Sequence, residues 1–352
     1  MQVEIAPTWT LRGADDVATA LPALLALLGA IDRSGSIVAA ATECGYSYRH
    51  AWGLLRAFST QFGAELVIKV RGRGSVLSPL AQKLLWADKR IAARLTPLLA
   101  SLASELQQEL ASVLPDSARP ALRITASHGF AVAALVAQLT QQGITVDVHY
   151  RSSTEAVAAL ARGDCDLAGF HIPVGAFGAA AAASFKRWLN PKQHALLHLA
   201  YRMQGIFVAK GNPLHVTGLA DLARPALRFV NRQHGSGTRV LLDVLLADAG
   251  VDPAAIAGYD SAEFTHAAVA AFVASGMADA GFGVETAARR FQLDFIPIIR
   301  EQYFLACRAD ALATPMLRAA QDVMTSAALK AAIAALPGYE GAACGTLVPM
   351  DF

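Results

Sequence analysis

Ser34-Gly35-Ser36-Ile37-Val38-Ala39-Ala40-Ala41-Thr42-Glu43-Cys44-Gly45-Tyr46-Ser47-Tyr48-Arg49-His50-Ala51-Trp52 decides the reading of the first third of the chain. Ser34-Gly35-Ser36 breaks one helix, and Ser36 caps a short one running to Glu43. Gly45 suits the left-handed turn between two helices. A second helix starts at Ser47, and its apolar positions Ala51, Leu54, Leu55 and Phe58 recur at helical spacing. Two strands follow, Glu65 to Val70 and Ser75 to Leu77, with Arg71-Gly72-Arg73-Gly74 as the tip between them. Helix, turn, helix and a basic hairpin in that order spell a winged helix-turn-helix.

Before this stretch, Val3 to Leu11 reads as a short strand or arm. Asp15 or Asp16 is placed to cap a helix running to Asp32. On the other side, Ser78-Pro79 opens a long helix with an apolar stripe of Leu80, Leu84, Leu85, Ile91, Leu95, Leu98, Leu99, Leu102, Leu106 and Leu110. Pro97 is expected to kink or split it. A linker helix with such a stripe needs a partner, which predicts a homodimer or homotetramer.

Net charge is only +2, but ten basic residues against three acidic ones lie between Arg33 and Arg94. That local excess suits the phosphate backbone of a double-stranded DNA operator. The residues expected to face DNA are Ser36, Ser47, Tyr48, Arg49, His50 and Arg56 on the helices, with Arg71 and Arg73 on the wing. Trp52 reads as core packing.

From Pro120 onward, strands and helices alternate and charge is balanced, 19 basic against 19 acidic residues after residue 115. Strands read at 121–126, 144–150, 166–172, 198–202, 206–209, 227–231, 278–282, 295–299 and 303–308. Ser153 or Thr154 is placed to cap the helix after the second strand. Asn231-Arg232-Gln233-His234-Gly235-Ser236-Gly237-Thr238-Arg239 follows a strand and opens a helix. Its glycines allow close backbone approach, free N–H groups favour an anion, and Ser236, Thr238, Arg232 and Arg239 add donors. Other strand ends carry Ser127-His128, His171, Thr265-His266 and Gly281-Phe282-Gly283. The candidate ligand residues are therefore Ser127, His128, His171, Arg232, Gly235, Ser236, Gly237, Thr238, Arg239, Thr265 and His266. The three histidines lack the spacing of a metal site, and Cys44, Cys165, Cys307 and Cys344 form no CxxC.

The segment Gly45-Tyr46-Ser47-Tyr48-Arg49-His50-Ala51-Trp52, with Ser34-Gly35-Ser36 and the Gly-rich wing before Leu77-Ser78, resembles the DNA-binding domain of ModE-type molybdate-responsive regulators. That domain is related to the LysR-type reader, and the resemblance covers roughly residues 15–110. Phe229-Val230-Asn231-Arg232-Gln233 with Gly235 to Arg239, Thr265-His266-Ala267-Ala268-Val269-Ala270 and Ala278-Asp279-Ala280-Gly281-Phe282-Gly283 look like the periplasmic-binding-protein-like domain of some regulators and molybdopterin-biosynthesis fusions. This second resemblance covers about residues 120–345. The small paired oxyanion-binding repeats of full-length ModE do not follow the linker.

The resulting fold class is α/β and multi-domain: a winged helix-turn-helix (1–78), a linker and dimerisation helix (79–115), and a two-lobed type II periplasmic-binding-protein-like domain (116–352). Lobe one is expected at 120–203 and 302–352, lobe two at 204–301. The function expected is a bacterial transcription regulator tied to molybdenum, tungsten or molybdoenzyme physiology. It would bind molybdate, tungstate, formate or a pterin precursor between the lobes, with no cofactor. An enzyme or a solute-binding transport component is the alternative, but GxSxG, a metal cluster and a dinucleotide fingerprint are missing. The apolar run Leu21 to Ile31 is too short to span a bilayer and lacks a basic flank, so a cytoplasmic protein without membrane contact is expected.

Overall fold

The computed structural model describes residues 3–12, 18–71, 74–113 and 121–350. They fall into two compact units, one of residues 6–95 and one of residues 96–350 joined by residues 3–5.

In the smaller unit, β1 (Thr10–Arg12) pairs antiparallel with β2 (Ala18–Ala20). Then come α1 (Pro22–Ser34), α2 (Ile37–Glu43), α3 (Tyr48–Phe62) and a hairpin of β3 (Val67–Val70) and β4 (Gly74–Leu77). This is a winged helix-turn-helix. Its core joins Leu24, Leu27, Leu28 and Ile31 of α1 to Ala40 of α2, Leu55 and Phe58 of α3, and Leu77 of β4. Trp52 packs against the rim of that core. Gly45 turns with φ +71° between α2 and α3. Gly74 has φ +75°, and a Cβ there would lie 2.4 Å from the Gly35 carbonyl oxygen. A side chain is excluded because Ser75 N–H donates to that same carbonyl at 2.8 Å, seating the wing on the turn after α1.

The first helix starts later than the sequence predicts. Asp15 and Asp16 lie outside the described residues, and α1 begins only at Pro22, because Ala18–Ala20 is spent on β2. Pro22 occupies the first helical turn, where its missing N–H costs nothing.

Helix α4 (Pro79–Val113) is assigned without a break at Pro97. Its first part belongs to the smaller unit, where Leu85 is buried and Leu80 and Leu84 pack against the core. Beyond residue 95 it belongs to the larger unit, where Leu98, Leu102 and Leu106 are exposed, 54%, 41% and 39% respectively.

The larger unit continues with β5 (Leu122–Ala126), α5 (Phe130–Gln141), β6 (Val146–Tyr150), α6 (Ser153–Arg162), β7 (Leu167–Pro173), α7 (Gly178–Ala183) and β8 (His194–Val208). After these come β9 (Phe229–Arg232), α8 (Gly237–Asp248), β10 (Ala262–Glu263), α9 (His266–Ala274), β11 (Ala280–Val284), α10 (Glu285–Arg290) and β12 (Asp294–Arg308). The chain closes with α11 (Pro315–Thr325), α12 (Ala327–Ala334), β13 (Tyr339–Glu340) and β14 (Leu347–Val348). The sheet runs β10-β9-β11-β8-β12-β7-β5-β6, and β13 and β14 also pair with β8.

Two long antiparallel strands, β8 and β12, organise this unit. The first part of β8 and the last part of β12 sit among β7, β5 and β6, which are parallel to one another. The other ends of both strands sit beside β11, β9 and β10. The sequence reading divided each long strand in two. The structure runs both through the polar stretch Arg202-Met203-Gln204 and its partner Arg300-Glu301. Strand β6 is an edge strand, and α4 covers it: Ser101 and Ser104 hydroxyls accept the Tyr150 and Val148 N–H groups at 3.2 and 3.0 Å.

Candidate functional site

Four helices of at least nine residues start around one cavity of about 260 Å³. They are α5, preceded by Ser127-His128; α6, capped by Ser152; α8, capped by Ser236; and α9, starting at His266. Each presents unpaired N–H groups and the positive end of its dipole to the space in front of it. The Ser236 hydroxyl accepts the Arg239 N–H at 3.2 Å, and the Thr265 hydroxyl accepts that of Ala268 at 2.9 Å. The cap of α6 is Ser152, not Ser153 or Thr154. Glu155 answers it with a capping box, which fixes the start of the helix.

Beneath these helix ends lies a buried charged group. Arg202 of β8 donates from Nε to Glu301 of β12 at 2.8 Å, both side chains being 1% exposed. The Gln204 amide donates to the same carboxylate oxygen. Burial opposes the charge on Glu301, but the neighbouring His171, then Arg202 and Gln204, hold its carboxyl below the ordinary range. Arg232, at the end of β9, donates to the Phe264 carbonyl at 2.8 Å, while its Nε has no hydrogen-bond partner. Burial and then repulsion by Arg202 push the Arg232 guanidinium down to about 9. The second guanidinium nitrogen of Arg202, Nη2, also lacks a partner. Two arginines thus face one carboxylate, an arrangement that favours an added anion.

The three histidines come together on this cavity. Burial holds His128 and His171 at about 4, and His266 falls well below its ordinary value through burial and then the nearby Arg232. They are therefore neutral near pH 7 and act as hydrogen-bonding groups. His171 Nδ1 lies 3.3 Å from Ser153 Oγ. A Cβ at Gly237 would lie 2.5 Å from His171 Nε2, so only glycine lets the first turn of α8 meet the imidazole.

Of the ligand residues expected from sequence, Ser127, His128, His171, Arg232, Ser236, Gly237, Thr238 and His266 line this cavity. Three do not. Gly235 lines a neighbouring cavity. Thr265 is buried and caps α9. Arg239 turns the other way: its guanidinium stacks 3.9 Å from the Tyr259 ring, donates to the Tyr259 carbonyl and pairs with Asp243. Gly281 and Gly283 also stand off the cavity. They make room on β11 for Val269 and His266 of α9. Sequence reading missed Tyr150, Arg202, Gln233 and Phe264, which line the cavity, and Glu301 beneath it. A buried charge in the middle of each long strand is the signal that marks Arg202 and Glu301.

On the smaller unit, Ser47, Tyr48, Arg49 and His50 are exposed at the start of α3, with Arg56 further along. The Ser47 hydroxyl caps the helix by accepting the His50 N–H at 3.1 Å. Ser36 does the same for Ala39 on α2. Tyr48 packs edge-on to Trp52, which also carries Lys69 over its ring. Arg71 is exposed at the wing, and Arg73 lies outside the described residues. Among the described residues, no group of three His, Cys, Asp or Glu side chains could hold a metal ion, and no helix is long and apolar enough to cross a membrane. The four cysteines are free thiols.

Known proteins show the following likenesses. YvgK of Bacillus subtilis, an uncharacterized protein, is 36% identical over 199 residues, 56% of this chain and 64% of YvgK. The chain thus spans less than two thirds of that relative. The molybdenum-pterin-binding protein MopB of Rhodobacter capsulatus is 40% identical over 94 residues, 26% of this chain and 35% of MopB. An OxyR mutant of Corynebacterium glutamicum aligns over 89% of this chain and 93% of its own, at 16% identity and a TM-score of 0.44. Residues 136–325, more than half of the chain, match the PBP superfamily domain, and the chain belongs to that family.

Proposed function

We propose that the protein is a ligand-responsive DNA-binding transcription regulator and not an enzyme. The observation that carries this reading is that one chain holds a winged helix-turn-helix with exposed Tyr48, Arg49 and His50 and a cavity where the buried Arg232 Nε has no partner. The first suits a DNA groove, with Arg49 reaching base or phosphate. The second suits a small anion held by Arg232, Arg202, the Ser127, Ser236 and Thr238 hydroxyls and four helix starts. Molybdate, tungstate, formate and a pterin precursor are the candidate effectors, and MopB's name points in the same direction.

We place the hinge where the paired strands β8 and β12 pass from one half of the sheet to the other, near Met203-Gln204 and Glu301. That divides the domain into lobes 120–203 with 302–352, and 204–301. An anion that contacts both lobes, through Ser127 and His171 on one and Arg232 and Ser236 on the other, binds the closed form more tightly and shifts the population toward it. Exposed Leu98, Leu102 and Leu106 form the stripe that joins two copies, pairing two readers on a two-fold operator. Such a reader works beside the chromosome, in the cytoplasm.

The test is a gel shift with promoter DNA from upstream of the protein's own gene, with and without each anion. The expected result is a retarded complex whose affinity changes severalfold or more with one anion. Absence of any complex, with or without anions, contradicts the reading.

A further inference from the structure

A second cavity, of about 240 Å³, lies beside the first, between α7 and α8. Its walls are apolar, formed by Pro173, Phe177, Ala181, Phe185, Leu241 and Val244. Its polar lining holds His171 and Glu301, whose side chains are 5% and 1% exposed, with Ser153, Thr154 and Ser184. His171 Nε2 and Glu301 Oε1 stand 3.6 Å apart, and neither has a hydrogen-bond partner.

Burial keeps the His171 ring neutral near pH 7. The Ser153 hydroxyl, 3.3 Å from Nδ1, is placed to donate to it, which leaves the ring proton on Nε2, facing the carboxylate. Glu301 Oε1 belongs to a carboxylate already engaged through Oε2 with Arg202. At 3.6 Å the Nε2–H and Oε1 are too far apart for a direct hydrogen bond, and one hydroxyl placed between them satisfies both, accepting from Nε2–H and donating to Oε1. An anion is repelled by Glu301, and the apolar walls give a strongly hydrated ion nothing in return for its water.

We propose that this cavity is a second ligand site, for a small neutral molecule with an apolar body and one hydrogen-bond donor. Phe177 and Phe185 offer ring contacts to the body, and a hydroxyl donor also accepts from His171 as it donates to Glu301. The site shares Ser153, His171 and Gly237 with the anion cavity. Its occupant is chemically the opposite, so this proposal stands or falls separately from the anion reading.

The experiment is calorimetric titration of the full chain with phenol, no anion of the panel being added, with benzene and benzoate in parallel. Phenol is expected to bind, benzene about tenfold or more weakly for want of the donor, and benzoate more weakly than phenol. Ala181→Trp, which fills the cavity, is expected to abolish phenol binding. Val244→Trp, at its exposed rim, tests the same point should the first variant fail to fold. Absence of phenol binding, equal affinity for benzene, or an unchanged phenol affinity in a folded filling variant would overturn the proposal.

Discussion

Arg232 and Arg239 lie seven residues apart in one motif and end in opposite environments. Arg232 closes β9 and reaches the cavity with Nε unpartnered, whereas Arg239 is drawn outward by Asp243 and the face of Tyr259. The motif was legible because turn and cap residues announce themselves. Ser236 caps α8, and Gly237 must be small where it meets His171. Which arginine faces inward was not legible, since that depends on Tyr259, twenty residues away. Arg232→Gln should weaken anion binding about tenfold or more, because a charged hydrogen bond is replaced by a neutral one. Arg239→Ala should leave anion affinity unchanged while costing about 1–2 kcal/mol of stability through lost packing and hydrogen bonds. Titration calorimetry and denaturant melts separate the two effects.

Among the elements, α3 and the wing could be read almost to their ends, since helical spacing and a glycine turn are local signals. Strands β8 and β12 could not. Each carries charged or amide side chains at mid-length, Arg202 and Gln204 on one and Glu301 on the other, which on sequence alone argue for a break. Only pairing across the sheet satisfies them, Arg202 and Gln204 both bonding Glu301. For α3, Arg49→Ala is expected to weaken operator binding and reduce the salt slope by about 1, read from gel shifts at several salt concentrations. For α4, Leu102→Glu puts a charge in the exposed leucine stripe and should shift the protein toward monomer in analytical ultracentrifugation. A dimer of unchanged strength would move the interface elsewhere.

For the whole molecule, buried histidines set a pH limit. His128, His171 and His198 lie at about 4 and His266 well below its ordinary value, all chiefly through burial, against 6.5 for an unperturbed ring. The folded state therefore takes up fewer protons than the unfolded chain between pH 6.5 and about 4. Stability is full above 6.5 and falls as pH drops through that window, by a few kcal/mol in order of magnitude. Thermal unfolding followed from pH 8 to pH 4.5 should show a plateau, then a decline. A flat profile would mean the rings are accessible to protons.

A small anion bound at Arg232 should stabilise the whole protein. Thermal-shift assays of the full chain and of Arg232→Gln, against molybdate, tungstate, sulfate, phosphate and formate, test it most directly. An anion at ~100 times its dissociation constant adds roughly 2.7 kcal/mol. The native chain should show a raised melting temperature with at least one anion, and the variant should lose that shift. No shift with any anion, or the same shift in both proteins, would contradict it.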